Sequence, residues 1–120
     1  MTTRRDQLLS SFQDKEYRDL FVAANVRCGI AHQIRAMRAD RGWTQVELAR
    51  RLGTVQRTIS RLENPGYGKL SVTTLLRLAS VFEVELQVRF GRFTELASQI
   101  AFLSPDDLAV PGFDDDDVRG

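Results

Sequence analysis

The side chains best equipped for chemistry in this sequence are cations. Residues 31–77 hold nine bases (Arg35, Arg38, Arg41, Arg50, Arg51, Arg57, Arg61, Lys69 and Arg77) against three acids, a local charge of +6. A surface of that kind recruits an anionic partner and is the electrostatic footprint of nucleic-acid binding. Catalytic chemistry lacks its parts: there is no Ser/His/Asp set and no phosphate-cradling glycine loop. One cysteine, Cys28, and one histidine, His32, cannot make a Cys/His metal site, so neither a metal nor a cofactor is expected. Cys28 reads as a small packed side chain rather than a redox sensor, and His32 as a surface or packed histidine.

The elements that carry these cations belong to one domain. The chain has 120 residues, 42% of them hydrophobic and 28% charged, enough to bury a core without disulfides. Its net charge of +1 conceals an asymmetry: residues 105–120 carry six acids and Arg119, or −5, leaving +6 on residues 1–104. No apolar run approaches the ~20 residues of a membrane span, and the N-terminal MTTRRDQLLSSF is too polar for a signal peptide. A reducing, cytoplasmic setting and no membrane partner are expected.

Three regions follow from the pattern: a loose N-terminal arm (1–13), a mostly α domain (14–104) and an acidic tail (105–120). Tyr17, Leu20, Phe21 and Ala24 recur at helical spacing and predict a helix over 14–27. Ile30, Ile34 and Met37 extend that spacing to about Arg41, as a second helix after Gly29 or as a continuation of the first. Thr44-Gln45-Val46-Glu47 is a capping-box sequence opening a helix that ends at Gly53. Another helix spans about Gln56 to Glu63, and Asn64-Pro65-Gly66-Tyr67-Gly68 is a loop signal. Ser71 caps a further helix with Val72, Leu75, Leu76, Leu78 and Ala79 as its apolar set. Val84-Glu85-Leu86-Gln87-Val88-Arg89-Phe90 alternates apolar and polar residues, the signature of a strand. A lone strand needs a partner, so Val84, Leu86, Val88 and Phe90 are expected to pair across a homodimer axis. A weak helix over 93–103 precedes the tail.

The stretch GWTQVELARRLGTVQRTISRLEN, Gly42 to Asn64, has the logic of two short helices crossing through a tight turn. Ala49 is small enough for a close crossing, Gly53 accepts the turn, and Val46, Leu48, Leu52, Ile59 and Leu62 can form a core beneath it. On Thr44-Gln45-x-Glu47-Leu48-Ala49, Gly53, Gln56, Thr58-Ile59-Ser60 and Leu62-Glu63-Asn64, the chain resembles the Cro and phage-repressor helix-turn-helix proteins, or Xre family, over roughly 30–82. A closer likeness is to the antitoxin partners of HipA-type toxin kinases, which also show GWTQ-x-ELA, TIS, an ENP-like turn, a helix and one strand. The added N-terminal helix and the longer acidic tail depart from that group.

The resemblance implies roles. The helix from Gln56 becomes the recognition helix, with Gln56, Arg57, Thr58 and Arg61 contacting bases; Gln suits adenine, Arg suits guanine, and Thr suits a base or a thymine methyl. Val55, ahead of it, packs or touches a thymine methyl. Thr44, Gln45, Asn64, Tyr67 and Lys69 become phosphate contacts. Arg38 and Glu63 match a buried ion pair that fixes the recognition helix. Trp43 packs at the corner before the second helix. Arg4 and Arg5 read as disordered surface rather than a minor-groove arm. The Asp114–Asp117 run reads as solvated; the sharper alternative has it compete with DNA phosphate for the basic face.

Taken together, the expected protein is a sequence-specific double-stranded DNA-binding repressor that acts as a homodimer on an inverted repeat, and not an enzyme. The alternative is an antitoxin that neutralises a toxin protein and autoregulates its operon. An interaction module without DNA binding is a third reading, against which the outward Gln56, Arg57 and Arg61 argue.

Overall fold

A computed structural model describes residues 2–102 and 109–116. Six helices follow one another: α1 (Arg4–Ser11), α2 (Lys15–Asp40), α3 (Gln45–Leu52), α4 (Gln56–Leu62), α5 (Val72–Phe82) and α6 (Phe93–Phe102), with a 3₁₀ turn at Phe113–Asp115. The fold is all-helical. Among the described residues there is no β-strand, which corrects the strand expected over 84–90 and its pairing across a two-fold axis. Alternation specifies which side of an extended segment is apolar, but a strand also needs a second backbone to bond. Nothing among the described residues supplies one. Val84 packs on the core and Leu86 is half-buried, while Val88 and Phe90 stand in solvent.

The N-terminal segment is also more ordered than its polarity predicts. Thr3 and Asp6 close a reciprocal capping box (Asp6 N–H to Thr3 Oγ1, 3.1 Å; Thr3 N–H to Asp6 Oδ2, 3.3 Å), so residues 4–11 form α1 instead of a loose arm. Beyond it Phe12 is buried, its ring 5.0 Å from Phe21 and 5.1 Å from Phe93. Arg5 donates to Ser98 Oγ at 2.8 Å, and Ala97 is fully buried. These contacts join α1, the first half of α2 and α6 around a small aromatic cluster.

The two predicted helical stretches before Gly42 are one helix. Asp14 caps α2 by accepting from the Glu16 and Tyr17 amides at 3.0 and 3.4 Å. At 26 residues α2 is roughly 39 Å long. Gly29 passes through it unbroken, because a helical glycine costs only ~1 kcal/mol. Tyr17 and Leu20 lie exposed on α2, so the apolar face predicted there buries little besides Phe21.

The main core lies between the second half of α2 and the helices that follow. Ile34, Met37, Leu48, Ala49, Leu52, Ile59, Leu62, Leu78 and Phe82 form it. Val46, expected among them, is 64% exposed. Trp43 stacks on Phe82 (centroids 5.7 Å apart, planes at 11°) and closes the corner between α2 and α3. Gly53 ends α3 at φ +76, a left-handed conformation in which a side chain is strained. Arg77 of α5 reaches the Leu52 carbonyl at that end, 2.6 Å away.

Part of the tail is docked rather than solvated. Val110 packs on the core, and Arg41 donates to the carbonyls of Val110 (3.1 Å), Met37 (3.1 Å) and Phe82 (2.9 Å). The Phe113 amide bonds to the Glu83 carbonyl at 2.9 Å. Asp106, Asp107, Asp117 and Arg119 lie outside the described residues.

The two glycines make opposite predictions. Gly29 has nothing within 4 Å of the Cβ it lacks, so Gly29→Ala should stabilise by ~0.5–1 kcal/mol. Gly53→Ala should destabilise by ~1–2 kcal/mol through its left-handed backbone. Denaturant unfolding of the two variants measures both; stabilisation by Gly53→Ala would contradict the turn.

Candidate nucleic-acid interface

Helix α4 is short and two-faced. Ile59 and Leu62 are buried, and their burial turns Gln56, Arg57, Ser60 and Arg61 to solvent. Thr58 is half-buried and its Oγ1 accepts from Thr54 Oγ1 at 3.1 Å, so its hydroxyl is partly engaged within the turn. Val55 is 64% exposed at the N-cap and makes no capping bond, which decides its two readings against packing.

A bidentate ion pair anchors the far end of α4. Arg38 of α2 donates from Nε to Glu63 Oε2 (2.7 Å) and from Nη2 to Oε1 (3.0 Å). The side chains are 16% and 5% exposed. The third arm of the guanidinium bonds the Trp43 carbonyl at 2.9 Å. Hydrogen bonding to Glu63 raises the Arg38 pKa above its ordinary value, so the charge is secure. Arg38 thus ties α2 to the loop opening α3 and to the end of α4.

Gln45, the first residue of α3, extends this link. Its Nε2 donates to Glu63 Oε1 at 3.4 Å and its Oε1 accepts from Gln56 Nε2 at 2.8 Å. The residue assigned to phosphate and the first residue assigned to bases are therefore hydrogen-bonded to each other. Sequence spacing alone could not reveal this, because the two glutamines sit on different helices. Thr44 is exposed and its hydroxyl oxygen caps α3 by accepting from the Glu47 amide at 3.1 Å. The Glu47 carboxylate does not return to complete a box. It binds Arg50 (2.6 and 3.0 Å) and Arg51 (2.8 Å).

That choice sorts the cations. Arg50 and Arg51 share the one Glu47 carboxylate, and Arg51 also lies over the Trp43 ring at 4.1 Å. Among the described residues, Arg57, Arg61 and Lys69 have no carboxylate within ion-pair distance. Uncompensated positive charge therefore stands on α4 and the loop after it. In that loop Asn64 Oδ1 accepts the Gly66 amide at 2.9 Å, the Tyr67 amide bonds the Asn64 carbonyl at 3.0 Å, and the Arg61 guanidinium lies 5.9 Å from the Tyr67 ring. Lys69 is exposed.

The remaining expectations fall elsewhere. Val84, Leu86, Val88 and Phe90 are not part of this face. Asp114 and Asp115 line a cleft with Asp40, Arg41, Trp43 and Arg51, to which no residue of α4 contributes. Arg4 and Arg5 belong to α1, Cys28 is half-buried and His32 is exposed. No group of three His, Cys, Asp or Glu among the described residues could hold a metal ion. No helix among them is long and apolar enough to cross a membrane.

Residues 34–88 match the family model described as Helix-turn-helix. The segment that holds the Arg38–Glu63 pair, the α3–α4 crossing and the exposed cations is thus similar to Xre-type helix-turn-helix domains. The chain is also 35% identical over 57 residues to the antitoxin HipB of Escherichia coli, a stretch that spans 48% of this chain and 60% of that protein. No solved structure matches the chain.

Two measurements probe this geometry. Removing Arg38 strands a carboxylate that is 5% exposed, so Arg38→Ala should cost ~3–5 kcal/mol of stability. Arg35→Ala, exposed on the same helix, should cost far less, and equal melting shifts would contradict a buried pair. Hydrogen bonds from Arg50, then Arg51, lower the Glu47 pKa to about 2 from 4.5. Because the folded value is depressed, the contribution of this exposed triad is complete above about pH 4.5 and fades as pH falls toward 2. Carboxyl-detected NMR should show Glu47 titrating well below the ordinary glutamate value of 4.5.

Proposed function

We propose that this protein is a transcriptional repressor that binds double-stranded DNA as a homodimer, with one α4 in the major groove of each half of an inverted-repeat operator. The observation that carries the reading is the exposed face of α4, where Gln56, Arg57 and Arg61 stand without a carboxylate partner beside a loop bearing Lys69. Gln56 pairs with adenine, Arg57 and Arg61 with guanine, and Thr58 with a base or a thymine methyl. Gln45 holds phosphate from the start of α3 and keeps its bond to Gln56, so the backbone contact and the base contact share one register. Thr44, Asn64, Tyr67 and Lys69 complete the phosphate row. Half-site centres lie ~34–36 Å apart, one turn of the duplex. The protein works without catalysis, in the cytoplasm, by covering a promoter.

A second reading is supported by the identity to HipB: an antitoxin that binds a toxin protein and uses the same α4 to control its own operon. The two readings share the DNA-binding step and differ in the partner.

Selection of bound duplexes from a random pool should enrich an inverted repeat. Arg57→Ala and Arg61→Ala should then each lose ~1–3 kcal/mol of discrimination at one base position. Failure of a folded, dimeric protein to enrich any sequence would contradict the repressor reading. Recovery of a stoichiometric complex with the product of a neighbouring gene would favour the antitoxin.

A further inference from the structure

We infer that Arg27, which lies on α2 outside the matched segment, is a DNA-backbone contact that extends the phosphate row beyond the helix-turn-helix itself. The inference rests on the DNA-binding reading.

Arg27, Ala31, Ile34 and Arg38 are spaced four, three and four residues apart, and so form one stripe along α2. In the middle of the stripe Ala31 and Ile34 are buried. Its two arginines reach successive parts of the chain after α4. Arg38 grips Glu63 at the helix end. Arg27, three turns earlier, is already past the edge of the core, and its guanidinium lies over the loop. Its Nε is 3.3 Å and its Cζ 3.6 Å from the point where a Cβ on Gly68 would sit.

Nothing nearby neutralises this charge. The residues one turn away on α2 are Ala23, Ala24, Ile30 and Ala31, and no carboxylate among the described residues lies within ion-pair distance of Arg27. Glu63, the acid at the start of the loop, is held by Arg38. Three cations, Arg27, Arg61 and Lys69, therefore converge on Tyr67–Lys69 without a counter-charge. A covering role over Gly68 needs only the aliphatic stem. An exposed planar guanidinium left free to present two N–H donors suits a phosphate. Gly68 allows this close approach, since a Cβ there would make Arg27 give way by a few tenths of an ångström.

The test measures binding of the full chain to the selected duplex, or to mixed-sequence DNA if selection returns none, across a salt series. Arg27→Gln should weaken binding to cognate and mismatched duplexes alike and lower the log–log salt slope by ~0.9, the share of one phosphate. Arg27→Lys should restore the slope, and Arg89→Gln, an exposed control, should leave it unchanged. On the wild-type protein, ethylation interference should mark a phosphate flanking each half-site, and that signal should vanish with Arg27→Gln. If Arg61→Gln reduces binding while Arg27→Gln leaves slope and footprint intact, the Arg27 contact is overturned and the DNA-binding reading stands. If the wild-type protein binds no DNA at low salt, both are overturned.

Discussion

Glu63 is a carboxylate in a place where water cannot solvate it, and the geometry of the interface follows from how that charge is satisfied. Arg38 meets it with two parallel hydrogen bonds, and its third arm takes the Trp43 carbonyl. Gln45 adds a further contact and passes the link to Gln56. One buried charge thus connects α2, the entry to α3 and both ends of α4. A buried pair adds little net stability, because desolvation offsets most of the attraction. Its effect is directional: α4 can take only the rotation and depth at which Glu63 faces Arg38. With Ile59 and Leu62 seated in the core, that leaves Gln56, Arg57 and Arg61 outward.

The same logic governs where free charge resides. Eleven residues separate Arg50 from Arg61, yet the first is spent on Glu47 and the second is not. Acid placement, rather than the number of cations, leaves Arg57, Arg61 and Lys69 on α4 and its following loop without a carboxylate partner. Asp114 and Asp115 of the tail line the same cleft as Arg41 and Arg51, on the side formed by α2, α3 and α5. The docked backbone of residues 110–113 is held by Arg41 and Glu83 instead of by the basic face.

Outside the helix-turn-helix, a second, smaller cluster assembles around Phe12, Phe21 and Phe93. It brings α1 and α6 together and gives the first half of α2 something to pack against. The continuity of α2 then matters: a rigid rod joins this cluster to the main core and carries Arg27 to the loop after α4 at a fixed height.

Much of the main domain could be read in advance. Capping residues Thr44 and Ser71, the stop at Gly53, and the apolar positions Leu48, Ala49, Leu52, Ile59 and Leu62 are local signals, and local hydrogen bonds and helical periodicity act over a few residues. The outward set on α4 follows from the same periodicity. Other features lie beyond such signals. Alternation in 84–90 could name an apolar side but could not provide the backbone that a strand requires. The exposure of Val46 and Val55, the burial of Phe12 and the docking of residues 109–116 depend on which surfaces meet. Pairing is a matter of three-dimensional distance, so only the folded chain decides that Glu47 takes Arg50 and Arg51, that Gln45 takes Gln56, and that Arg27 is left without an acid. Residue types and spacing specify what each segment can do alone; contacts between segments decide which of those capacities remain free to meet a partner.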